Sequence, residues 1–137
     1  MRIAFIYPHL TDTRAGDAMQ PLGFALLAAR TPPGVELELF DDRLETIDYD
    51  IDADLVALSV QTFTAKRAYR IADGFRERGV PVVMGGWHPT LLAEEARDHA
   101  DALVVGDGET VWRRLVEDAA QGRMRSIYMG DQKSPME

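Results

Sequence analysis

The chain alternates short apolar runs with longer segments in which apolar residues recur every three or four positions. Runs rich in β-branched residues predict strands that are buried on both faces, because helices cover both sides of a parallel sheet. One further run alternates apolar and acidic residues, which is typical of a half-exposed edge strand. The predicted strands are 2–7, 35–40 (the edge strand), 54–60, 80–84 and 101–105.

The segments between these strands predict helices. In the longest of them, apolar residues fall at spacings of three and four and would share one helix face. Thr90 is expected to cap a short helix after the fourth strand, because its hydroxyl can accept from a free backbone N–H. The predicted helices are 21–29, 65–78, 91–98 and 110–121, and 126–129 is a candidate for a short sixth strand.

Strands that alternate with helices predict a parallel sheet joined by right-handed crossovers. Five such units point to an α/β, doubly wound, flavodoxin-like (Rossmann-like) sheet with strand order 2-1-3-4-5. In open sheets of this kind a ligand binds beyond the carboxyl ends of the strands, where the strand order reverses. Four loops are expected to meet there: 8–20, 59–64, 85–89 and 106–109.

Composition removes several classes of function. The 137 residues contain no cysteine, which excludes a thiolate zinc site, an iron–sulfur cluster held by this chain and a cysteine nucleophile. A formal net charge of −8 disfavours a nucleic-acid partner. No apolar run approaches the roughly 20 residues that cross a membrane, so we expect a cytoplasmic protein without a membrane partner. The Asp41-Asp42 pair is interpreted as solvated surface acids.

Glycines and hydroxyl groups dominate the loops that are expected at the site. Gly85 and Gly86 follow the fourth strand, and a backbone without Cβ atoms lets a flat molecule lie against it. Neither the G-x-G-x-x-G nor the Walker A pattern follows the first strand. Thr11 and Thr13 give only a weak version of a flavin phosphate loop. The loops therefore favour a large, flat, nearly neutral ligand over a polyphosphate.

The order and spacing of several short motifs carry a resemblance to a known family. The motifs are Pro8, Pro21-Leu22-Gly23-Phe24, Ser59-x-x-Thr62, Gly85-Gly86-Trp87-His88-Pro89-Thr90, and Asp101 followed by Gly106-Asp107-Gly108-Glu109-Thr110. In this respect the chain resembles the amino-terminal cobalamin (vitamin B12)-binding domain that precedes the radical SAM domain in many cobalamin-dependent radical SAM enzymes. The likeness extends over about residues 1–128.

The resemblance implies that cobalamin is bound base-off, with its nucleotide tail between the loops after strands 3 and 4 and its corrin across the strand ends. It implies that Gly85 and Gly86 let the tail pass, so that a valine at Gly86 would block binding without unfolding the domain. The residues that it places near the cofactor are Pro8, His9, Ser59, Gln61, Thr62, Phe63, Gly85, Gly86, Trp87, His88, Gly106, Gly108 and Glu109.

Two of these residues are histidines with open roles. His9 lies roughly where a cobalt-binding histidine would, but the D-x-H-x-x-G pattern around such a histidine is absent. His9 therefore stays a weak candidate for cobalt, and no metal ligand is assigned. His88 either bonds the edge of the ligand or fixes its own turn, and the second role is favoured.

The resemblance also implies a longer parent enzyme. The cluster motif CxxxCxxC is missing, so residues 129–137 are expected to be a linker toward a radical SAM domain that holds the iron–sulfur cluster and SAM. Substrate would lie over the corrin in a methyltransferase or cyclase, and this module alone would catalyse nothing. Two alternatives stay open: a non-catalytic flavodoxin-like regulatory or protein-docking module, and a flavin-binding electron carrier.

Overall fold

Six parallel strands form one sheet in the order β2-β1-β3-β4-β5-β6. The computed structural model describes residues 1–8 and 22–130. The flavodoxin-like fold and the order 2-1-3-4-5 are confirmed, and the candidate sixth strand forms beside β5. The strands are β1 Arg2–Tyr7, β2 Glu36–Asp41, β3 Leu55–Ser59, β4 Val82–Gly85, β5 Ala102–Val105 and β6 Ile127–Met129.

Five α-helices and two 3-10 turns connect the described strands. The helices are α1 Leu22–Ala29, α2 Ala65–Glu77, α3 Trp87–Leu91, α4 Ala93–Ala96 and α5 Trp112–Ala120. The 3-10 turns are Thr62–Thr64, before α2, and Gly108–Thr110, before α5. None of the helices in these described ranges is long and apolar enough to cross a bilayer.

The prediction of a single helix over 91–98 is wrong. Helix α3 begins at Trp87, directly after Gly86, whose φ of 110° turns the chain out of β4. Thr90 lies inside α3 and caps nothing; its hydroxyl instead donates to the carbonyl of Gly86. A second short helix, α4, follows after Leu92, where the backbone leaves the helical conformation (φ −129°, ψ 54°).

The sheet separates two apolar cores, because successive side chains of a buried strand point to opposite faces. On one face α2 packs Ile71 and Phe75 against Leu58 and Met84. On the other face α1 and α5 pack against a second set of strand residues. This second face leads to the site, and its strand residues include Phe5, Ala57, Val83 and Val104.

Asp41 and Asp42, at the end of β2, are not simply solvated, so the interpretation of this pair as surface acids is wrong. Asp42 is 3% exposed and accepts two hydrogen bonds from the Arg67 guanidinium, at 2.9 and 3.0 Å. Asp41 forms an ion pair with Arg43 at 2.8 Å, and Arg43 also lies over the ring of Tyr7. Hydrogen bonds to Asp41 raise the pKa of Arg43 above its usual range, against a smaller desolvation effect. These contacts tie the end of β2 to α2 through Arg67 and to β1 through Arg43 and Tyr7.

Candidate functional site

A cavity of about 660 Å³ opens at the carboxyl ends of β3, β4 and β5. It lies between the sheet and α1, and the start of α3 and the turn after β5 close its sides. Its volume falls within the range of about 300–1,000 Å³ that is usual for small-molecule and cofactor sites. The cavity lies beyond the carboxyl ends of the strands, as expected, but over β3, β4 and β5 and not over the reversal between β1 and β3. Three of the four expected loops meet there, those after β3, β4 and β5; the fourth, 8–20, lies outside the described residues except for Pro8.

The wall of the cavity nearest the sheet is apolar. Neighbouring strands supply it in register, since Phe5 pairs with Ala57 and Ala57 pairs with Val83. We call this apolar part of the lining the cavity floor; it comprises Phe5, Ala57, Val83 and Val104 of the sheet together with Leu27 of α1 and Trp112 of α5. Its strand residues are buried in the core, so the floor is a rigid surface of hydrocarbon.

Small residues at the tips of β3 and β4 keep the cavity open. Ser59 and Gly85 are paired across these strands, and both line the cavity. A Cβ atom at Gly85 would lie 3.5 Å from the Cβ of Val104, an ordinary contact on the cavity side of the sheet. A larger side chain at position 85 would therefore extend into the cavity without straining the backbone.

Gly86 has a different role from Gly85, and the expectation for a valine at this position is wrong. A Cβ at Gly86 would lie 2.7 Å from the carbonyl oxygen of Val60, and its φ of 110° disfavours any side chain. The missing Cβ faces the backbone of Val60, directly after β3. A valine here would strain the turn into α3, so it cannot test ligand binding cleanly.

Thr90 joins the two glycine loops of the site. Its hydroxyl donates to the Gly86 carbonyl oxygen at 2.8 Å and accepts from the Gly106 N–H at 3.0 Å. The loop after β4 and the loop after β5 are thus held at one separation. This function of Thr90 was missed from the sequence, because it depends on contact between loops that the chain brings together only in the folded sheet.

The acidic rim is formed by the turn after β5. Asp107 accepts a hydrogen bond from the Glu109 N–H at 3.0 Å, which starts the 3-10 turn. Glu109 pairs with Arg30 at 3.2 Å, so the rim is tied to the end of α1. Among the described lining residues, these two carboxylates carry charge and no Lys or Arg does. This rim suits a ligand without a dense negative charge.

His88 is buried beside the cavity and not in its lining. It is 3% exposed, and its Nε2 lies 2.7 Å from the Tyr69 hydroxyl oxygen and 2.9 Å from Glu95 Oε2. Its Nδ1 lies 3.5 Å from the hydroxyl oxygen of Thr62. Burial, with the nearby Glu95 carboxylate, raises the pKa of Tyr69 to about 12. The imidazole therefore joins α2, α3 and α4 to the loop after β3.

The other predicted site residues either line the cavity, lie away from it, or fall outside the described residues. Phe63 is 66% exposed, Thr62 is also exposed, and Pro8 is buried; none of these three lines the cavity. His9 lies outside the described residues. The predicted residues that the structure brings together in the lining are Ser59, Gln61, Gly85, Gly86, Trp87, Gly106, Gly108 and Glu109.

Helix α1 supplies lining residues that sequence reasoning missed, namely Gly23, Leu26 and Leu27. The signal was present: the sequence of α1 is apolar on all sides, although most of its residues are exposed. A helix of that kind usually has a partner on each side. Within the described ranges, no three His, Cys, Asp or Glu residues are grouped so that they could hold a metal ion.

Comparison with known families gives one match that covers most of the chain. The model of the family described as "B12 binding domain" matches residues 9–116. This range contains β2 to β5 and the loops that border the cavity.

Curated proteins with similar sequences are methyltransferases by name. The chain is 42% identical to bacteriochlorophyllide d C-8(2)-methyltransferase of Chlorobaculum tepidum over 108 residues, 78% of this chain and 24% of that protein. It is 35% identical to bacteriochlorophyllide d C-12(1)-methyltransferase of the same organism over 124 residues, 89% of this chain and 27% of that protein. An uncharacterized methyltransferase of Pyrococcus horikoshii is 30% identical over 129 residues, 84% of this chain and 28% of that protein. The chain thus spans about a quarter of the length of each.

Proposed function

This chain belongs to the B12 binding domain family, and from that premise we propose that it holds cobalamin base-off as one module of a cobalamin-dependent radical SAM methyltransferase. Cobalamin is the cofactor that the family implies. The observation that carries the proposal is the apolar cavity of about 660 Å³ beneath the glycine loops at the strand ends. Its lining fits a large organic cofactor whose innermost group, the lower base at the end of the tail, is flat and uncharged.

The nucleotide tail enters between the loops after β3 and β4 in this proposal. Ser59 and Gly85 flank that entrance, and their small side chains leave the passage open. The cavity floor then packs against the lower base of the cofactor. The lining residues that the structure describes include no histidine. The corrin would lie across the strand ends, beside Trp87, which is 64% exposed.

The residues of this chain orient the cofactor and do not react. Cobalamin, when bound, supplies a cobalt centre that can carry a methyl group. Thr90 fixes the spacing of the two glycine loops, and the Arg30–Glu109 pair holds α1 against the turn after β5. The floor excludes water from the buried part of the tail.

The proposed parent enzyme is longer than this module. The matched relatives are about four times as long as the aligned segments, and each is named a methyltransferase. We assign residues 1–128 to the cobalamin module and 129–137 to a linker toward a radical SAM domain, which would bring the iron–sulfur cluster, SAM and the substrate to the upper face of the corrin. Methyl transfer is favoured over cyclisation by the names of the relatives.

Titration of the purified chain with hydroxocobalamin tests the proposal. We expect saturable binding at one site by calorimetry, with the visible spectrum shifting to that of the base-off cofactor. Flavin mononucleotide is the comparison ligand. It should give no heat of binding, and the protein should be colourless once free flavin has been removed. Absence of heat and of any spectral change with hydroxocobalamin would overturn the proposal, and a yellow flavin complex would favour an electron carrier instead.

A further inference from the structure

The cavity floor offers no polar atom that is free to bond a ligand. Five of its six residues have side chains of hydrocarbon alone. The sixth, Trp112, already donates its Nε1–H to the hydroxyl of Thr31 at 3.0 Å, and that hydroxyl donates to the Leu27 carbonyl at 2.8 Å. The strand backbone beneath the floor is paired within the parallel ladder.

Apart from Trp112, the polar side chains of the lining lie at or beyond the carboxyl ends of the strands. Ser59 lies at the carboxyl tip of β3, and Gln61 follows it along the chain. Asp107 and Glu109 lie beyond the end of β5, where they bond the turn backbone and Arg30. The cavity is therefore polar where a ligand enters and apolar where the ligand ends.

We propose that this floor makes the chain selective for cobamides whose lower base is dimethylbenzimidazole over those whose lower base is adenine. The inference rests on the proposed placement of the nucleotide tail in the cavity. The outer ring of dimethylbenzimidazole carries only methyl groups, which match the hydrocarbon floor. Adenine carries further ring nitrogens and an exocyclic amine, which would leave water without finding partners there.

The expected discrimination is at least about tenfold in Kd, which corresponds to about 1.4 kcal/mol. A site that merely lacks hydrogen-bond partners discriminates less than one that offers them, so a moderate preference is expected. The adenine form also lacks the methyl groups that would contact the floor, and this smaller apolar burial further weakens its binding.

Three cofactors separate this inference from the proposal on which it rests. The chain is titrated with cobalamin, with the adenine-containing cobamide, and with cobinamide, which lacks a lower base. Cobalamin binding about tenfold or more tightly than the adenine form supports the selectivity. Equal affinity for those two overturns it, even if both bind well. Cobinamide binding as tightly as cobalamin would show that the base lies outside the cavity, which overturns the placement and the selectivity together. If none of the three binds, the proposed function fails as well.

A polar substitution in the floor tests the cause of the selectivity. Val83→Thr keeps the shape of the side chain and places a hydroxyl on the floor, so the preference for cobalamin should shrink. Val56→Thr is the matched control, because Val56 is also fully buried but belongs to the core on the opposite face of the sheet. Both Kd values are measured on the same variant, so a loss of stability affects them alike. If the ratio of the Kd for the adenine-containing cobamide to the Kd for cobalamin were the same in Val83→Thr as in the unsubstituted chain, the inference would be contradicted.

Discussion

The backbone N–H of Gly106 donates to the hydroxyl oxygen of Thr90 at 3.0 Å. The same hydroxyl donates to the Gly86 carbonyl at 2.8 Å, so a single side chain bridges the tips of β4 and β5. Two loops that would otherwise move independently are thereby held as one wall of the cavity. The spacing between them is set by hydrogen bonds within the folded chain.

We expect Thr90→Val to lower both stability and cobalamin affinity. Valine keeps the shape but removes both hydrogen bonds and leaves the half-buried Gly106 N–H without its partner, at a cost of about 1–3 kcal/mol in the free energy of unfolding. Denaturant unfolding and cobalamin titration measure the two effects. Thr90→Ser, which keeps the hydroxyl, is the control and should retain most of both. A Thr90→Val chain that melts and binds like the unsubstituted one would show that the bridge is dispensable.

Substitutions at Gly85, the last residue of β4, and at Gly86, directly before α3, should have different effects on stability and binding. Gly85→Val should keep or raise the melting temperature, because a β-branched residue suits the extended backbone at the end of β4, while its methyl groups extend into the cavity and weaken cobalamin binding more than about tenfold. Gly86→Ala should lower the melting temperature, because its Cβ meets Val60 at a φ of 110°. Ala120→Val, at the exposed end of α5, controls for added volume. Tight binding by a well-folded Gly85→Val chain would exclude this entrance for the tail.

Alanine substitutions at the neighbouring residues Trp87 and His88 should separate binding from stability. His88→Ala removes a buried imidazole from its contacts with Tyr69 and Glu95, so the free energy of unfolding should fall by about 1–3 kcal/mol. Where the variant stays folded, its Kd for cobalamin should change less than about threefold. Trp87→Ala, at an exposed lining residue, should weaken cobalamin binding with little change in stability. The reverse pattern would place His88 against the ligand and leave Trp87 outside the site.

Stability should decline at alkaline pH, in part because of Tyr69. Its pKa rises from 10.0 to about 12 on folding, so the folded chain holds the phenolic proton more tightly than the unfolded chain. The stabilising contribution is complete below pH 10 and is lost as the pH rises toward 12. Unfolding measured across this window should show a smaller decline in Tyr69→Phe. A residual slope is expected from Tyr128, whose pKa burial also raises, and Tyr128→Phe isolates it. An unchanged slope in Tyr69→Phe would contradict the assignment.

The periodicity of the sequence was sufficient to predict the sheet and its two longest helices. Strands buried on both faces leave continuous apolar runs, and α2 and α5 have a buried face at regular spacing. The resemblance to cobalamin domains led to eight of the lining residues, all at the ends of β3, β4 and β5 or in the turns that follow them. These features depend on short stretches of sequence, so they can be predicted without knowing which distant residues are in contact.

The errors all involve partners far apart in the sequence. The early start of α3 depends on Gly86 meeting the backbone of Val60, and the burial of Asp42 depends on Arg67, which lies 25 residues later. The contribution of α1 to the cavity was missed for the same reason, since the lining residues that it faces lie on β1, β3, β4 and β5, far away in the sequence. Local patterns record that such residues are small, charged or apolar, but not which partner they meet.

Strand β6 fixes the direction in which the polypeptide leaves the sheet. It runs parallel to β5, so Gly130 emerges at the carboxyl edge, where its N–H bonds Val105 and its Cα lies against the backbone of Asp107. A tether attached beyond this point starts at the rim of the cavity and need not cross the domain to reach it. In the arrangement proposed above, a catalytic domain joined there would lie at high effective concentration near the cavity even through a short connector.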